Sequence, residues 1–194
     1  MTTGQTGEKT DVVIFEAEDI ERTLKRLSHE LIEFNHGLKN VVLLGIVTRG
    51  KSLAERVGRL LQQMEGAQLG EEGIPQGYLD ITLYRDDTGQ TFKPASESHV
   101  PVELTGKKVI LIDDVLWTGR TIRAALDALL AYGRPEKVEL LVLIDRRFSR
   151  HLPIEPDYIG HQVDSLNSQQ VKVTWASEGS EDKVILISEP PLPK

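Results

Sequence analysis

No cysteine occurs among the 194 residues. That removes disulfides, thiolate chemistry and cysteine-type zinc sites, and a reducing cytoplasm is the compartment it fits. No apolar run is long enough to span a bilayer, and no signal-type apolar segment stands near residue 1, so neither membrane insertion nor secretion is expected. Positive charge is in deficit: 23 Lys and Arg stand against 30 Asp and Glu, a formal net charge of −7. This balance opposes wholesale nucleic-acid binding, although a local basic face could survive it. No internal repeat and no dividing linker is visible. A chain of this length with 39% hydrophobic residues suits one domain with a sizeable core.

What is present concentrates in residues 109–121. The apolar run Val109-Ile110-Leu111-Ile112 delivers two adjacent acids, Asp113 and Asp114, and then a loop of Thr118, Gly119, Arg120 and Thr121. Ile122, Ala125, Leu126 and Leu129 follow at the spacing of one helical face. The pattern predicts buried strand, loop, helix. Acids then sit at the carboxyl end of a strand, where open α/β sheets bind ligands, beside a helix N-terminus whose free N–H groups favour phosphate. Asp113 and Asp114 repel a phosphate, but they can accept hydrogen bonds from vicinal hydroxyls or hold a metal. The loop offers two hydroxyls, a glycine permitting close backbone approach, and N–H donors for a phosphate. A phosphorylated sugar satisfies both halves.

The remaining pattern is α/β, a mostly parallel sheet flanked by helices, in a single domain over 12–188 between tails 1–11 and 189–194. Val12–Phe15 reads as a short strand or extended lead. A helix from Ala17 to about Asn35 buries Ile20, Leu24, Leu27, Leu31 and Phe34. Its Arg22, Lys25, Arg26 and His29 share a polar face, which is either solvated beside Glu21, Glu30 and Glu33 or a contact for nucleic acid or another subunit. Val41–Val47 is a continuous apolar strand, as in a sheet covered on both faces. Thr48-Arg49-Gly50 ends it as a second anion-binding loop, before a helix with Leu53, Val57, Leu60 and Met64 inward and a capping box of Ser52 with Glu55. A Gly-rich connection is expected over 65–76 and a strand over Tyr78–Tyr84. Residues 85–100, including Asp86 and Asp87, are polar and unpatterned, the composition of a lid. Val138–Ile144 is another buried strand, ending at Asp145-Arg146-Arg147. Pro153 and Pro156 open an irregular cap reaching Val163, within a hood placed at about 146–170. Residues 171–175 and 183–187 alternate and are expected to pair.

The 109–121 stretch resembles the phosphoribosyl pyrophosphate (PRPP) motif of type I phosphoribosyltransferases. The resemblance extends to Arg26 with His29-Glu30, the Gly45–Gly50 segment, Leu79-Asp80-Ile81-Thr82-Leu83-Tyr84-Arg85-Asp86-Asp87, Gly133-Arg134-Pro135, and Asp145-Arg146 before Leu152-Pro153-Ile154. Together these are similar to the subgroup that joins uracil phosphoribosyltransferase activity to attenuation of pyrimidine operons. The likeness implies uracil and PRPP as substrates, UMP and pyrophosphate as products, Mg²⁺ as cofactor, and a homodimer or higher oligomer. It implies that Asp113 and Asp114 hold the ribose hydroxyls, directly or through metal-bound water. Thr118, Gly119, Arg120 and Thr121 would take the 5′-phosphate. Thr48, Arg49 and Arg85 would take pyrophosphate, on a loop that is often a non-proline cis peptide. Arg146 and the backbone near Val163 would shape the base pocket, and Arg26 and His29 would face leader RNA. Three positions depart from the subgroup: Val47 and His161 where lysine is usual, and Val163-Asp164-Ser165-Leu166 where Val-Pro-Thr-Ser is usual. Each removes a phosphate contact or adds an acid, so weak or absent RNA binding with retained catalysis is expected. The alternatives are an RNA-binding regulator with vestigial chemistry, and a transferase for another base such as a purine.

Overall fold

The computed structural model describes residues 10–70, 72–85, 98–166 and 168–188. In chain order the elements are β1 (Thr10–Phe15), α1 (Ala17–Phe34), β2 (Val41–Ile46), α2 (Arg49–Leu69), β3 (Gln76–Leu79), β4 (Lys108–Leu116), α3 (Arg120–Leu129), β5 (Lys137–Arg147), β6 (Tyr158–Asp164), β7 (Gln169–Thr174) and β8 (Lys183–Ser188). Five strands form a parallel sheet in the order β3-β2-β4-β5-β6. The chain builds outward in one direction from β2 to β3 and in the other from β4 to β5, so the order reverses between β2 and β4. The crevice outside that reversal is where such sheets hold ligands.

Burial on both faces explains why β2 and β4 read as unbroken apolar runs. Successive side chains of a strand point to opposite faces. Leu43, Ile110 and Ile112 meet Ile20, Leu24, Leu27 and Leu31 of α1 and Leu53, Val57 and Leu61 of α2. Val42, Leu44, Val109 and Leu111 meet Ile122, Ala125, Ala128 and Leu129 of α3 on the other side. Ala124 and Ala128 are buried while Leu126 is 38% exposed, so α3 turns its small residues inward. Phe34 closes the expected stripe of α1 yet is exposed, edge-on to Tyr158.

The pairing of β7 with β8 is as expected, and β1 completes a separate antiparallel sheet in the order β1-β8-β7. Trp175, immediately after β7, is fully buried and joins the core. Arg56 of α2 fastens this sheet by two bonds to Asp182, at 2.6 and 2.8 Å, and lies 4.6 Å from the Trp175 ring centre.

Four local expectations are corrected. The Ser52–Glu55 capping box does not form: α2 starts at Arg49, and the Ser52 hydroxyl donates to Glu178 at 2.9 Å. The expected connection 65–76 is helix to Leu69, stopped at Gly70 with φ of 72°. The expected strand to Tyr84 ends at Leu79, because Asp80 Oδ1 accepts from the N–H and hydroxyl of Thr82 at 2.8 and 2.5 Å and bends the chain into a 3₁₀ turn at Thr82–Tyr84. The stretch read as irregular up to Val163 contains β6, a regular strand paired with β5. Residues 86–97, with Asp86 and Asp87, lie outside the described residues.

Candidate active site

A cleft of about 570 Å³ opens at the carboxyl ends of β4 and β5. Asp113, Thr118, Gly119, Arg120 and Thr121 line one wall, Arg85 and Arg146 contribute cations, and Gln169–Val171 face it from the small sheet. Asp113 and Asp114 fall inside β4, each 8% exposed. The Asp114 N–H donates to Asp113 Oδ1 and the Val115 N–H to Asp114 Oδ1, both at 2.9 Å. Asp114 Oδ2 has no hydrogen-bond partner, and Arg49 Nη1 is 3.8 Å from it.

Burial, followed by the neighbouring Asp114 charge, pushes the Asp113 carboxyl well above the usual range. Burial raises Asp114 as well, against the opposing pull of Arg49. Two buried, mutually repelling carboxylates with one unsatisfied oxygen suit a hard cation with oxygen ligands. Among the described residues no group of three or more His, Asp or Glu could hold a metal unaided. A Mg²⁺ here would therefore take the Asp pair, directly or through water, and complete its shell with substrate oxygens.

The Thr48–Gly50 loop, expected to hold a second anion, sits where the order of the sheet reverses. The Val47–Thr48 peptide is cis, and α2 starts immediately after it. A Cβ on Gly45 would overlap the Gly50 backbone, and one on Gly50 would overlap the Ile112 carbonyl. These two glycines let the first turn of α2 rest on β2 and β4, which carries Arg49 up to Asp114. On the other side, Gly119 has φ of 89° and caps α3. That left-handed backbone places the loop against Leu152 and Ile154, whose atoms would lie 3.3–3.5 Å from a Cβ there.

The structure thus brings together Arg49, Arg85, Asp113, Asp114, Arg146 and residues 118–121, with Thr48 at the same strand end. It gives Arg146 more than a pocket-lining part. The buried guanidinium donates to Ser165 Oγ at 2.8 Å and to the Leu166 and Gln169 carbonyls at 3.2 and 2.9 Å, and it lies 4.9 Å from the Trp117 ring centre. Val163 stands opposite Arg146 in the β5–β6 register, with its side chain packed on the core. Arg26 and His29 lie apart from the cleft on α1. Arg26 donates to the Ile159 and Gly160 carbonyls at 3.0 and 2.6 Å and to Glu30 at 2.6 Å. Trp117, His151 and Gln169 line the cleft without having been singled out in the sequence. Trp117 sits inside the motif and could have been flagged as an apolar ring between acids and loop; Gln169 carried no signal.

The family profile described as "Phosphoribosyl transferase domain" matches residues 13–178. The bifunctional protein PyrR of Deinococcus radiodurans is 45% identical over 175 residues, 89% of this chain and 92% of that protein. The PyrR of Halalkalibacterium halodurans is 46% identical over 180 residues, 90% and 96% of the two chains. Among solved structures, a hypoxanthine phosphoribosyl transferase of Trypanosoma cruzi superposes with a TM-score of 0.69 at 15% identity, over 96% of this chain and 95% of that one. One from Staphylococcus aureus gives 0.61 at 20% identity, over 86% and 85%; at such identities the likeness concerns the fold. Sequence, topology and cleft agree: the chain belongs to the phosphoribosyl transferase family, within the group of bifunctional PyrR proteins, and is a pentosyltransferase.

Proposed function

We propose that this protein transfers the phosphoribosyl group of PRPP to uracil, releasing UMP and pyrophosphate. The observation that carries the reading is one cleft lined both by Asp113, of the buried Asp113–Asp114 pair, and by the donor loop 118–121, the two polarities of a sugar phosphate. Asp113 and Asp114 accept the ribose hydroxyls. Thr118, Gly119, Arg120 and Thr121 receive the 5′-phosphate. Thr48, Arg49 and Arg85 receive the pyrophosphate, meeting charge that grows as the glycosidic bond breaks. Asp113 and Asp114 would hold a Mg²⁺, directly or through water, and the ion would supply positive charge to offset that of the pyrophosphate. Arg146 and the backbone at Val163 bound the base side, where Arg146 holds Ser165, Leu166 and Gln169. Catalysis rests on orientation and fixed charge, with no strong general base required. The test is a base panel with Mg²⁺ and PRPP: pyrophosphate release is expected with uracil and not with hypoxanthine, guanine or cytosine. Release with a purine alone would replace uracil as acceptor, and release with none would end the assignment.

The same reading makes this protein a poor ligand for pyrimidine-operon leader RNA. Arg26 spends its guanidinium on β6 carbonyls and Glu30. Arg147 is held by both oxygens of Asp164, at 2.6 and 2.7 Å. His161 is bonded to Thr23 at 2.8 Å and stacked on Phe15, and burial, then Arg26, depress its pKa, which favours the neutral ring. A filter-binding titration is expected to give a dissociation constant in the non-specific range, roughly 10⁻⁴–10⁻⁶ M at physiological salt. Tight binding that responds to UMP would overturn this.

A further inference from the structure

Behind the phosphate-side loop lies Arg150, which the chemistry above leaves unused. Its side chain is 23% exposed. Nε donates to the Ile154 carbonyl at 3.0 Å. Nη1 is within hydrogen-bond distance of three carbonyls, those of Trp117 at 2.5 Å and of Leu116 and Arg146 at 3.2 Å. Nη2 pairs with the buried Asp145. The next two residues continue the pattern, since the N–H groups of His151 and Leu152 donate to the Thr118 carbonyl at 3.0 and 3.2 Å. Three consecutive carbonyls, 116 to 118, are therefore drawn toward one segment, 150–152.

Peptide geometry gives this a consequence. Among the described residues only Val47–Thr48 is cis, so the Trp117–Thr118 and Thr118–Gly119 units are trans. In a planar trans unit the C=O and N–H point in opposite directions. Pulling the carbonyls of Trp117 and Thr118 back turns the N–H groups of Thr118 and Gly119 away from the brace. Thr118 and Gly119 are cleft-lining residues. We infer that Arg150 is a positioning residue: acting from behind, it sets the direction of the backbone donors that receive a sugar 5′-phosphate. Through Asp145 and the Arg146 carbonyl it also ties that loop to β5, the base-side strand. The inference rests on the reading of this cleft as the PRPP site.

Two probes of the full-length protein separate a local role from general loosening. Ribose 5-phosphate engages the 118–121 loop, and inorganic pyrophosphate engages Thr48–Arg49. In calorimetric titrations with Mg²⁺, Arg150→Met is expected to weaken ribose 5-phosphate binding by about 10²-fold and to leave pyrophosphate binding within about twofold. Arg150→Lys keeps the charge but loses the planar fork, and about a tenfold loss for ribose 5-phosphate is expected. Unchanged ribose 5-phosphate affinity in Arg150→Met, or equal losses for both probes, would overturn the assignment. If Arg150→Met does not fold, Arg150→Lys decides by the same comparison. A wild-type protein that fails to bind ribose 5-phosphate would instead sink the site assignment on which the inference rests.

Discussion

Replacing Asp114 by Asn should lower kcat/KM for PRPP by about 10²-fold or more while the fold survives. The Asn oxygen still accepts from the Val115 N–H, so the local backbone keeps its bond. What disappears is the charge beside Arg49 and the oxygen left without a partner. The companion Asp113→Asn separates function from stability. Asp113 titrates well above the usual carboxylate range because of burial and then the Asp114 charge. A carboxyl raised in the folded state binds its proton more tightly there than in the unfolded chain. Its contribution to stability is full below the ordinary carboxylate pKa and is lost as pH rises through the raised folded value. The ligand-free wild type should therefore lose melting temperature as pH climbs across that window, and Asp113→Asn should flatten the loss. Above the window the variant should melt higher, at about 2–4 °C per kcal/mol for a chain of this size, yet be nearly inactive. Differential scanning calorimetry across pH, paired with turnover assays, checks both. A variant that melts lower than wild type above that window would contradict the picture of a crowded, desolvated pair. In the proposed reaction Mg²⁺ and PRPP would need the ionised pair, so the acid limb of the activity profile should also lie above the usual carboxylate range.

Gly50→Ala should damage both stability and substrate binding. Its Cβ would collide with the Ile112 carbonyl, which is backbone and cannot swing aside. The first turn of α2 must then lift from β4, carrying Arg49 away from Asp114. Overpacking of this kind costs about 1–3 kcal/mol, and displacing a substrate-holding group by about 1 Å costs on the order of 10²-fold in rate. Gly66→Ala is the control within the same helix. There a Cβ would meet only the side-chain end of Gln62, 3.2 Å away, and replacing a mid-helix glycine gains about 0.5–1 kcal/mol. Thermal melts and PRPP titrations of the two variants should diverge in opposite directions. Similar behaviour would mean that the close approach of α2 to the sheet does not place Arg49.

The placement of the candidate site was legible in the sequence where chemistry and periodicity coincide in one stretch. Residues 109–121 carry strand pattern, acids, glycine and helix face consecutively, so local spacing alone placed the acids at a strand end next to a helix start. The companion loop at Thr48–Gly50 could be read because it too follows an apolar strand. Failures came where a side chain overrode the period. Alternation in Tyr78–Tyr84 suited a strand, but the carboxylate of Asp80 offered Thr82 a local bond that competes with sheet pairing. β6 was hidden behind two prolines and an interrupted apolar pattern, since its partner β5 lies on one side only. Arg146 donates to carbonyls 20 and 23 residues away, and Arg26 to carbonyls 133 and 134 residues away. No spacing rule reveals such bonds, which is why the cations looked available from the sequence.

The small sheet has a consequence for how the molecule is made. β1 pairs only with β8 there, and β8 also holds β7, whose leading residues Gln169–Val171 border the cleft. During synthesis the five-stranded layer can assemble as soon as β6 has left the ribosome. β1, translated first, must wait for residues 183–188 before it has a hydrogen-bonding neighbour. The Gln169–Val171 wall of the cleft is therefore the last part of the architecture to be sealed, and a nascent chain stalled before β8 would carry Asp113, Asp114 and the 118–121 loop with that wall still open.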